Sequence, residues 1–291
     1  MEKDNEYLQK LNHLIENAFA EDIGKADYTT LASIGTEARG KAVLKIKDTG
    51  ILAGINVAEL IFLYAEPTSI MKKLKREGEE MVPGETAFEI EAKVYTLLTC
   101  ERLVLNCMQR MSGIATLTKE YTNKLKGFST KLLDTRKTTP NFRLLEKEAV
   151  EIGGGMNHRF GLYDMVMLKD NHIDYCGGIE KAIKKVNAYL KAHNLKLPVE
   201  VEARSLEDVK EILKTGRVTR IMLDNFTPPK IREALKIIDR KYETEASGGI
   251  TLDNIVSYAE TGVDYISSGA IIHQARSLDL SLKAIIHSKN G

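Results

Sequence analysis

Net charge is almost absent from this 291-residue chain, because 42 lysine and arginine residues are matched by 41 aspartate and glutamate residues. Proteins that bind nucleic acid usually carry a basic excess for their phosphate contacts, so this balance argues against that class. Any affinity for anions must therefore be local. Hydrophobic residues make up 43% of the chain and charged residues 29%, an ordinary composition for a globular protein with a buried core.

Cysteine is also scarce, and the three thiols of Cys100, Cys107 and Cys176 cannot all pair. None lies in a C-x-x-C motif, and the helical pattern around Cys100 and Cys107 favours packed thiols over metal ligands. The polar start MEKDNEYLQK lacks the layout of a signal peptide. The most apolar window, ILAGINVAELIFLYA, is too short to span a bilayer. These features predict a protein of the reducing cytoplasm.

The first part of the chain predicts a mixed α and β unit. Apolar residues recur at helical spacing over residues 4–20, and KAVLKIK and TAFEIEAKV alternate like half-buried strands. INVAELIFLYA predicts a helix between them. A long helix is predicted from about Thr96 to Lys126, interrupted at Gly113.

From Lys131 onward the pattern changes to short apolar runs separated by helical segments. The six runs are KLLD, DMVMLK, PVEVEA, RIMLDN, ETEASGG and VDYISSG. Alternating strands and helices imply a parallel sheet with right-handed crossovers. Six strands predict an incomplete α/β barrel, with an open doubly wound sheet as the alternative. The absence of a G-x-G-x-x-G motif and of a Walker-type lysine loop weakens that alternative.

The domain prediction places an α/β domain at residues 1–116 and the barrel at 117–274. The tail, which contains LSLKAIIH, predicts a short amphipathic helix over 275–291 that returns to the first domain.

Polar residues follow every predicted barrel strand. In chain order the strand ends carry Asp134, Arg136 and Lys137; Lys169 and Asp170; Glu200 and Glu202; Asp224 and Asn225; Ser247, Gly248 and Gly249; and Ser267, Ser268 and Gly269. Barrel enzymes build their active sites at the carboxyl ends of several strands. This distribution therefore predicts a catalytic face.

The last two strand ends combine serine with glycine, where barrels commonly bind a phosphate through backbone N–H groups. Taken singly, each is better explained as a tight turn, but the two together, with serine donors beside the glycines, favour a phosphate site. Glu200 and Glu202 share one face of their strand, which is the barrel interior if the intervening valines pack against helices. One of the two could form a structural ion pair with a cation from a neighbouring strand. With Asp224 on the next strand, a Mg²⁺ site or an acceptor for ribose hydroxyls is the other interpretation.

Cations are concentrated between Asp134 and His172. Arg136, His158, Arg159 and Lys169 would surround one opening if the intervening helix packs outside. Arginine suits carboxylates and lysine suits phosphates. The glycines at 153–155 predict close backbone approach and positive φ. His172 is predicted to cap the next turn.

Several motifs resemble the quinolinate phosphoribosyltransferase family over nearly the whole chain. They are EDIGKADYTT, ERLVLNCMQRMSGIAT, DTRKTTP, GGGMNHR, LKDNH, VEVE, LDN and EASGGIT. The resemblance implies an N-terminal open α/β sandwich joined to an incomplete six-stranded α/β barrel. It also implies a homodimer, in which Arg102 from one subunit completes the site of the other. The family usually has glycine after RKTTP, where this chain has Asn141, a residue that tolerates the left-handed region.

The implied reaction transfers phosphoribose from 5-phosphoribosyl-1-pyrophosphate to quinolinate with loss of CO₂, and Mg²⁺ assists. The substrate-binding residues implied are Arg102, Thr135, Arg136, Lys137, His158, Arg159, Lys169, Glu202, Asp224, Ser247, Gly248, Gly249, Ser268 and Gly269. Lys137, Lys169, Glu202 and Asp224 are the catalytic candidates, and Glu202 and Asp224 are the candidate metal ligands.

Three alternatives stay open from the sequence. The enzyme could act on nicotinate or another carboxylated heterocycle, although a monocarboxylate needs fewer cations than this segment offers. A molybdate-associated paralogue would keep the fold and change the substrate. A non-catalytic module that senses phosphate ligands is the third, and the acidic strand ends argue against it.

Overall fold

The computed structural model describes residues 2–285, with side chains from residue 5 onward. It contains two compact units. One comprises the residues up to 119, together with 138–154 and the segment from 274 on; the other comprises 120–137 and 155–273. By contacts, the division falls at 119/120 and residues 138–154 lie with the first unit, while the predicted domains, 1–116 and 117–274, divide the chain by its sequence pattern and stay a prediction.

The helices and strands follow one another in two distinct patterns. In chain order they are α1 (Glu2–Ile23), α2 (Tyr28–Ser33), β1 (Arg39–Ile46), β2 (Gly50–Ile51), α3 (Ile55–Ala65), β3 (Ile70–Lys73), β4 (Glu80–Met81), β5 (Thr86–Lys93), α4 (Val94–Lys124), β6 (Lys131–Leu133), α5 (Arg143–Ile152), β7 (Val166–Leu168), α6 (Asp170–Cys176), α7 (Ile179–Ala192), β8 (Val199–Ala203), α8 (Leu206–Thr215), β9 (Arg220–Asp224), α9 (Pro228–Ile238), β10 (Glu243–Ser247), α10 (Ile255–Ala259), β11 (Tyr265–Ser267), α11 (Ala270–His273) and β12 (Leu280–Ile285). None of the helices within residues 2–285 is both long enough and apolar enough to cross a bilayer.

The first unit contains an antiparallel sheet with the strand order β12-β1-β5-β3 and a separate ribbon of β2 and β4. Alternate residues of β1 are buried, as the period-two pattern of KAVLKIK predicts. Phe88 of β5 meets Phe62 of α3 edge to face, with ring centroids 6.4 Å apart. Cys100 and Cys107 lie buried in α4, where burial raises the pKa of each thiol to about 12. The interpretation of these two cysteines as packed thiols is confirmed.

The predicted interruption of the long helix at Gly113 is wrong, because α4 runs unbroken from Val94 to Lys124. Glycine is present for a different reason. A Cβ atom at this position would lie 1.9 Å from the carbonyl oxygen of Arg276. Gly113 therefore permits close approach of the segment that leads into β12.

The predicted C-terminal helix is also wrong within the described residues. Leu280–Ile285 forms a strand that pairs antiparallel with β1, from Ile46 opposite Leu280 to Lys41 opposite Ile285. The sequence L-S-L-K has the period of a strand, since Leu280 and Leu282 are buried and Lys283 is exposed. Residues 286–291 of the predicted helix lie outside the described residues.

The second unit contains one parallel sheet with the strand order β6-β11-β10-β9-β8-β7. Successive strands from β7 to β11 are added in one direction, and β11 then pairs with β6, the first strand in the chain. A doubly wound sheet would reverse its direction at a switch point, so this order is that of a barrel. β6 and β7 form the two edges of the sheet, and Met156 pairs with Leu133 along the β6 edge. The predicted incomplete six-stranded barrel is confirmed.

Candidate active site

The carboxyl ends of these parallel strands surround a cavity of about 300 Å³, which we call the barrel cavity. It is lined by Thr135, Arg136, Lys137, His158, Arg159, Met167, Lys169, Met222, Glu245, Ser247 and Ser267. Contributions come from the segment after β6, from the segment between α5 and β7, from the segment after β7, and from β7, β9, β10 and β11 themselves. The structure therefore brings together most of the cationic candidates and Ser247 in one place.

Two of the cations follow β6 directly. Arg136 and Lys137 are exposed, and the backbone N–H of Lys137 donates to the hydroxyl of Thr135 at 3.0 Å. The stem of Lys137 passes close to Gly269, where a Cβ atom would lie 3.0 Å from Lys137 Cδ. A larger residue at the end of β11 would displace the lysine, so Gly269 helps to set the position of Lys137.

Arg159 faces the same cavity from the segment after the triple glycine. Its guanidinium donates to the carbonyl oxygen of Met165 at 3.2 Å. Burial lowers the pKa of Arg159, and the positive charge of Arg136 lowers it further. The two arginines are close enough to repel each other, and a bound anion would relieve this repulsion.

The glycines upstream serve the two purposes that the sequence predicts. A Cβ atom at Gly153 would lie 2.6 Å from the carbonyl oxygen of Ala115, so α5 ends in close contact with α4. Gly154 has a φ of 89°, which glycine adopts without strain. Asn141, where the family usually has glycine, has a φ of 63°, as its tolerance of that region predicts.

His158 is buried, and its backbone N–H and both ring nitrogens lie close to other polar groups of the protein. Its backbone N–H donates to the fully buried carboxylate of Asp134 at 2.7 Å. On the ring, Nδ1 accepts from the backbone N–H of Arg159 at 2.7 Å. Nε2 lies 3.1 Å from Glu200 and 3.2 Å from Glu245. Burial by itself lowers the pKa of His158, but the two carboxylates outweigh it and raise the pKa to about 9.

The site predicted from the sequence does not include Glu245 or Arg220. Arg220 Nη1 lies 3.1 Å from Glu245 and 4.0 Å from Glu200. Glu200 therefore belongs to the structural ion pair that the sequence allowed for one of the two glutamates. The signal for Glu245 was available, because ETEAS alternates like VEVEA and places a second acidic residue on the inner face. We call His158, Glu200, Arg220 and Glu245 the buried ionic cluster.

Three members of the buried ionic cluster, His158, Glu200 and Glu245, present ligand atoms within 4.8 Å of one another, as a metal site would require. A metal here would have to share the carboxylates with Arg220, whose guanidinium already supplies positive charge to the same oxygen of Glu245 that faces His158. Arg220 thus already supplies positive charge at the place where an ion would lie.

Glu202 and Asp224 fit a divalent cation better. Burial raises the pKa of Glu202, and the neighbouring charge of Asp224 raises it further. Lys169 offsets this in part, since its Nζ lies 3.7 Å from Glu202. Two carboxylates that repel each other beside one lysine are a suitable donor set for Mg²⁺, which takes few protein ligands and completes its shell with substrate oxygens and water.

The glycine-bearing strand ends have the conformation that glycine permits. Gly248 and Gly249 have φ values of 96° and 64°. A Cβ atom at Gly248 would lie 2.1 Å from the side-chain oxygen of Asn225, so the ends of β9 and β10 meet closely there. The hydroxyl of Ser268 donates to the carbonyl oxygen of Ile250 at 3.2 Å. Of these strand ends, Ser247 and Ser267 line the barrel cavity.

The last two predicted residues lie on helices. Arg102 is exposed on α4 in the first unit. His172 accepts a hydrogen bond at Nδ1 from the backbone N–H of Lys169, at 3.1 Å, and so caps α6 as predicted.

A cationic cavity at the carboxyl ends of an incomplete parallel barrel, with carboxylates beside it, defines a class of enzyme that binds small polyanions. Comparisons with known proteins narrow this class. Residues 27–112 match the family model "Quinolinate phosphoribosyl transferase, N-terminal domain", and residues 114–283 match the C-terminal domain of the same family. The chain belongs to the quinolinate phosphoribosyltransferase family.

Individual relatives agree with this assignment. The chain is 42% identical over 288 residues to the chloroplastic nicotinate-nucleotide pyrophosphorylase of Arabidopsis thaliana, covering 94% of this chain and 82% of the relative. It is 40% identical to a probable nicotinate-nucleotide pyrophosphorylase of Bacillus subtilis, over 97% of this chain and 96% of the relative. The crystal structure of NadC from Streptococcus pyogenes superposes with a TM-score of 0.86 at 39% identity, covering 94% of this chain and 96% of that one.

Proposed function

We propose that this protein transfers phosphoribose from 5-phosphoribosyl-1-pyrophosphate to quinolinate and releases pyrophosphate and CO₂, with nicotinate mononucleotide as the product. The observation that carries the proposal is the barrel cavity, in which Arg136, Lys137, Arg159 and Lys169 meet although the chain as a whole is almost neutral. Both substrates are multiply charged anions, and such a cavity offsets the cost of removing them from water.

The arginines suit the pyridine dicarboxylate, because a planar guanidinium binds a carboxylate through two parallel hydrogen bonds. We assign Arg136 and Arg159 to this end of the cavity, together with Thr135 and His158. Lys137 and Lys169 are assigned to the pyrophosphate. The residues assigned to the 5-phosphate are Ser247, Gly248, Gly249, Ser268 and Gly269.

Glu202 and Asp224 are the proposed acceptors for the ribose hydroxyls and the proposed protein ligands of Mg²⁺. When bound, the ion would neutralise charge on the pyrophosphate. Lys137 and Lys169 stabilise the negative charge that develops on the departing pyrophosphate, and the carboxylates stabilise the positive charge that develops on ribose. The ring nitrogen of quinolinate then attacks C1.

Decarboxylation follows from the substrate's own chemistry. Once the ring nitrogen carries ribose it is positively charged, so the bond from C2 to its carboxylate can break with the electron pair left on C2. A proton then adds to C2. The protein's part is to hold the pyridine ring in one orientation while this occurs.

We further propose a homodimer in the cytoplasm, with Arg102 of each subunit completing the partner's site. Its support is the family membership and the position of Arg102, exposed on α4. Gel filtration with light scattering tests the dimer. Mixing an Arg102→Ala subunit with a subunit inactivated at Arg136 tests the shared site, because recovered activity requires one intact site per mixed dimer.

An assay for release of CO₂ and pyrophosphate from the two substrates, with and without Mg²⁺, tests the reaction itself. Arg136→Ala should reduce quinolinate turnover by at least about a hundredfold, since it removes a charge-assisted pair worth on the order of 3 kcal/mol. Arg232→Ala, which removes an exposed arginine from α9, is the matched control. Equal activity of the two variants, or turnover of nicotinate in preference to quinolinate, would contradict the assignment.

A further inference from the structure

The turn that follows β10 uses its backbone hydrogen-bonding groups unevenly. It runs from Ser247 to Thr251, and we call it the glycine turn because Gly248 and Gly249 give it two consecutive positive φ values. Its first residue, Ser247, lines the barrel cavity. Folded proteins pair nearly all of their buried backbone groups, so the partners of this turn show which groups the protein itself uses and which remain for water or a ligand.

The carbonyl oxygens of the glycine turn are bound by other parts of the protein. The bonds run from the Asn225 N–H to Ser247 at 2.8 Å, from the Asn254 side-chain amide to Gly249 at 3.0 Å, from the Ser268 hydroxyl to Ile250 at 3.2 Å, and from the N–H groups of Asn254 and Ile255 to Thr251 at 3.3 and 3.0 Å. A carbonyl oxygen carries partial negative charge and repels an anion. These bonds therefore hold the repelling groups against donors of the protein.

The N–H groups of the same turn are used differently. Within residues 2–285, the N–H groups of Gly248, Gly249 and Ile250 donate to no protein acceptor, whereas that of Thr251 donates to Oδ1 of Asn254 at 2.8 Å. Successive N–H donors in a turn of this kind form the concave nests that bind anions in proteins. The glycine turn thus combines available donors with carbonyl oxygens that are already bound, as a phosphate site requires.

Asn254 binds both kinds of backbone group at once. Its Nδ2 donates to the carbonyl oxygen of Gly249, and its Oδ1 accepts the N–H of Thr251, so its two bonds lie on either side of Ile250. The carbonyl of Gly249 and the N–H of Ile250 belong to one planar peptide unit and point in opposite directions. Holding the oxygen therefore also fixes the direction of the N–H.

We propose that Asn254 is a positioning residue that holds the Gly249–Ile250 peptide, so that the N–H of Ile250 binds the 5-phosphate of the ribose donor together with those of Gly248 and Gly249. Asn254 does not line the barrel cavity and acts through the glycine turn. Glycine makes this support necessary, because a Cβ atom at Gly249 would meet nothing within 4 Å and the peptide has no side chain to restrict it. The inference rests on the proposed function, which assigns the phosphate to this turn.

Two substitutions of Asn254 separate its donor from the space that it fills. Asn254→Ala removes both side-chain hydrogen bonds. Asn254→Asp keeps the size and the acceptor for the Thr251 N–H, but it replaces the donor with an oxygen that repels the carbonyl of Gly249. Asn187→Ala is the matched control, because the Asn187 amide also donates to a backbone carbonyl, that of Ile183 at 2.9 Å, and Asn187 does not line the cavity.

Steady-state kinetics test the proposal in the active enzyme. Asn254→Ala and Asn254→Asp should each raise KM for 5-phosphoribosyl-1-pyrophosphate on the order of tenfold, since each misplaces one hydrogen bond to a charged phosphate, and should leave KM for quinolinate within about twofold. Asn187→Ala should leave both KM values within about twofold. The proposal is overturned if either Asn254 variant behaves as the wild type, if Asn187→Ala matches them, or if KM for quinolinate rises equally.

Calorimetry with ribose 5-phosphate provides a test that needs no turnover. This ligand should bind the wild type and Asn187→Ala equally and Asn254→Ala about tenfold more weakly, with thermal unfolding to confirm that each variant is folded. Equal affinity of the wild type and Asn254→Ala, or no binding to the wild type, would refute the proposal even if the enzyme turns over quinolinate. A tenfold loss in a protein that does not turn over quinolinate would instead refute the proposed function and support the role of Asn254.

Discussion

Replacing Gly269 with alanine tests whether the end of β11, where Gly269 and the stem of Lys137 lie together, serves the ribose donor. A Cβ atom at Gly269 would lie 3.0 Å from Cδ of Lys137 and 3.2 Å from ring atoms of His273, which is tighter than ordinary van der Waals contact. The φ of Gly269 lies outside the left-handed region, so alanine adds no backbone strain. Because the lysine stem is flexible, the methyl group displaces Lys137 and the fold is retained.

The expected loss follows from Coulomb's law. Two unit charges 4 Å apart attract by about 4 kcal/mol at an effective dielectric constant of about 20, and roughly 1 Å of added separation removes about 0.8 kcal/mol. Since about 1.4 kcal/mol corresponds to a factor of ten, kcat/KM for 5-phosphoribosyl-1-pyrophosphate should fall roughly fourfold. The KM for quinolinate should change by less than about twofold, because the arginines stay in place.

The assay is initial-rate pyrophosphate release with each substrate varied in turn, alongside thermal unfolding. Gly35→Ala is the control, since a Cβ atom there meets nothing within 4 Å. If Gly269→Ala matches Gly35→Ala in kcat/KM for the ribose donor, then Lys137 does not contact the pyrophosphate. A loss confined to kcat/KM for quinolinate would indicate instead that Lys137 contacts the dicarboxylate.

Substitutions at three further positions test what stabilises the fold. Gly113→Ala should destabilise the protein by about 1–3 kcal/mol in denaturant unfolding, because overpacking against the Arg276 carbonyl exceeds the gain in helix propensity of about 1 kcal/mol. Asn141→Ala should cost about 1 kcal/mol, whereas Asn141→Gly should cost less, since φ is 63°; equal losses would contradict the backbone argument. Burial raises the pKa of Glu66, but hydrogen bonds, first from the Lys93 N–H, bring it below its ordinary value of 4.5. The stability that this carboxylate contributes is therefore present above pH 4.5 and lost as the pH falls, so Glu66→Gln should lower the unfolding temperature at pH 7 and not at low pH.

The elements that could be predicted from the sequence are those whose pattern is local. INVAELIFLYA forms α3 over Ile55–Ala65, and the alternation of KAVLKIK places its apolar residues on the buried face of β1. The errors came where a distant segment decides the outcome. Gly113 is explained only by the carbonyl of Arg276, and Leu280–Ile285 becomes a strand only because β1 offers it an edge.

The same distinction applies to the candidate site. Strand ends in parallel order place their polar residues at one face, so the convergence of Arg136, Lys169 and Ser247 follows from the alternation of strands and helices alone. The partner of a buried acid depends instead on which strands are neighbours. Glu200 and Glu245 lie on strands that flank β9, and both contact the same histidine. Arg220 of β9 lies between them and contacts both. The sequences VEVEA and ETEAS each predict an inward-facing glutamate. The contact of both with His158 could not be predicted, because it depends on the order of the strands in the sheet.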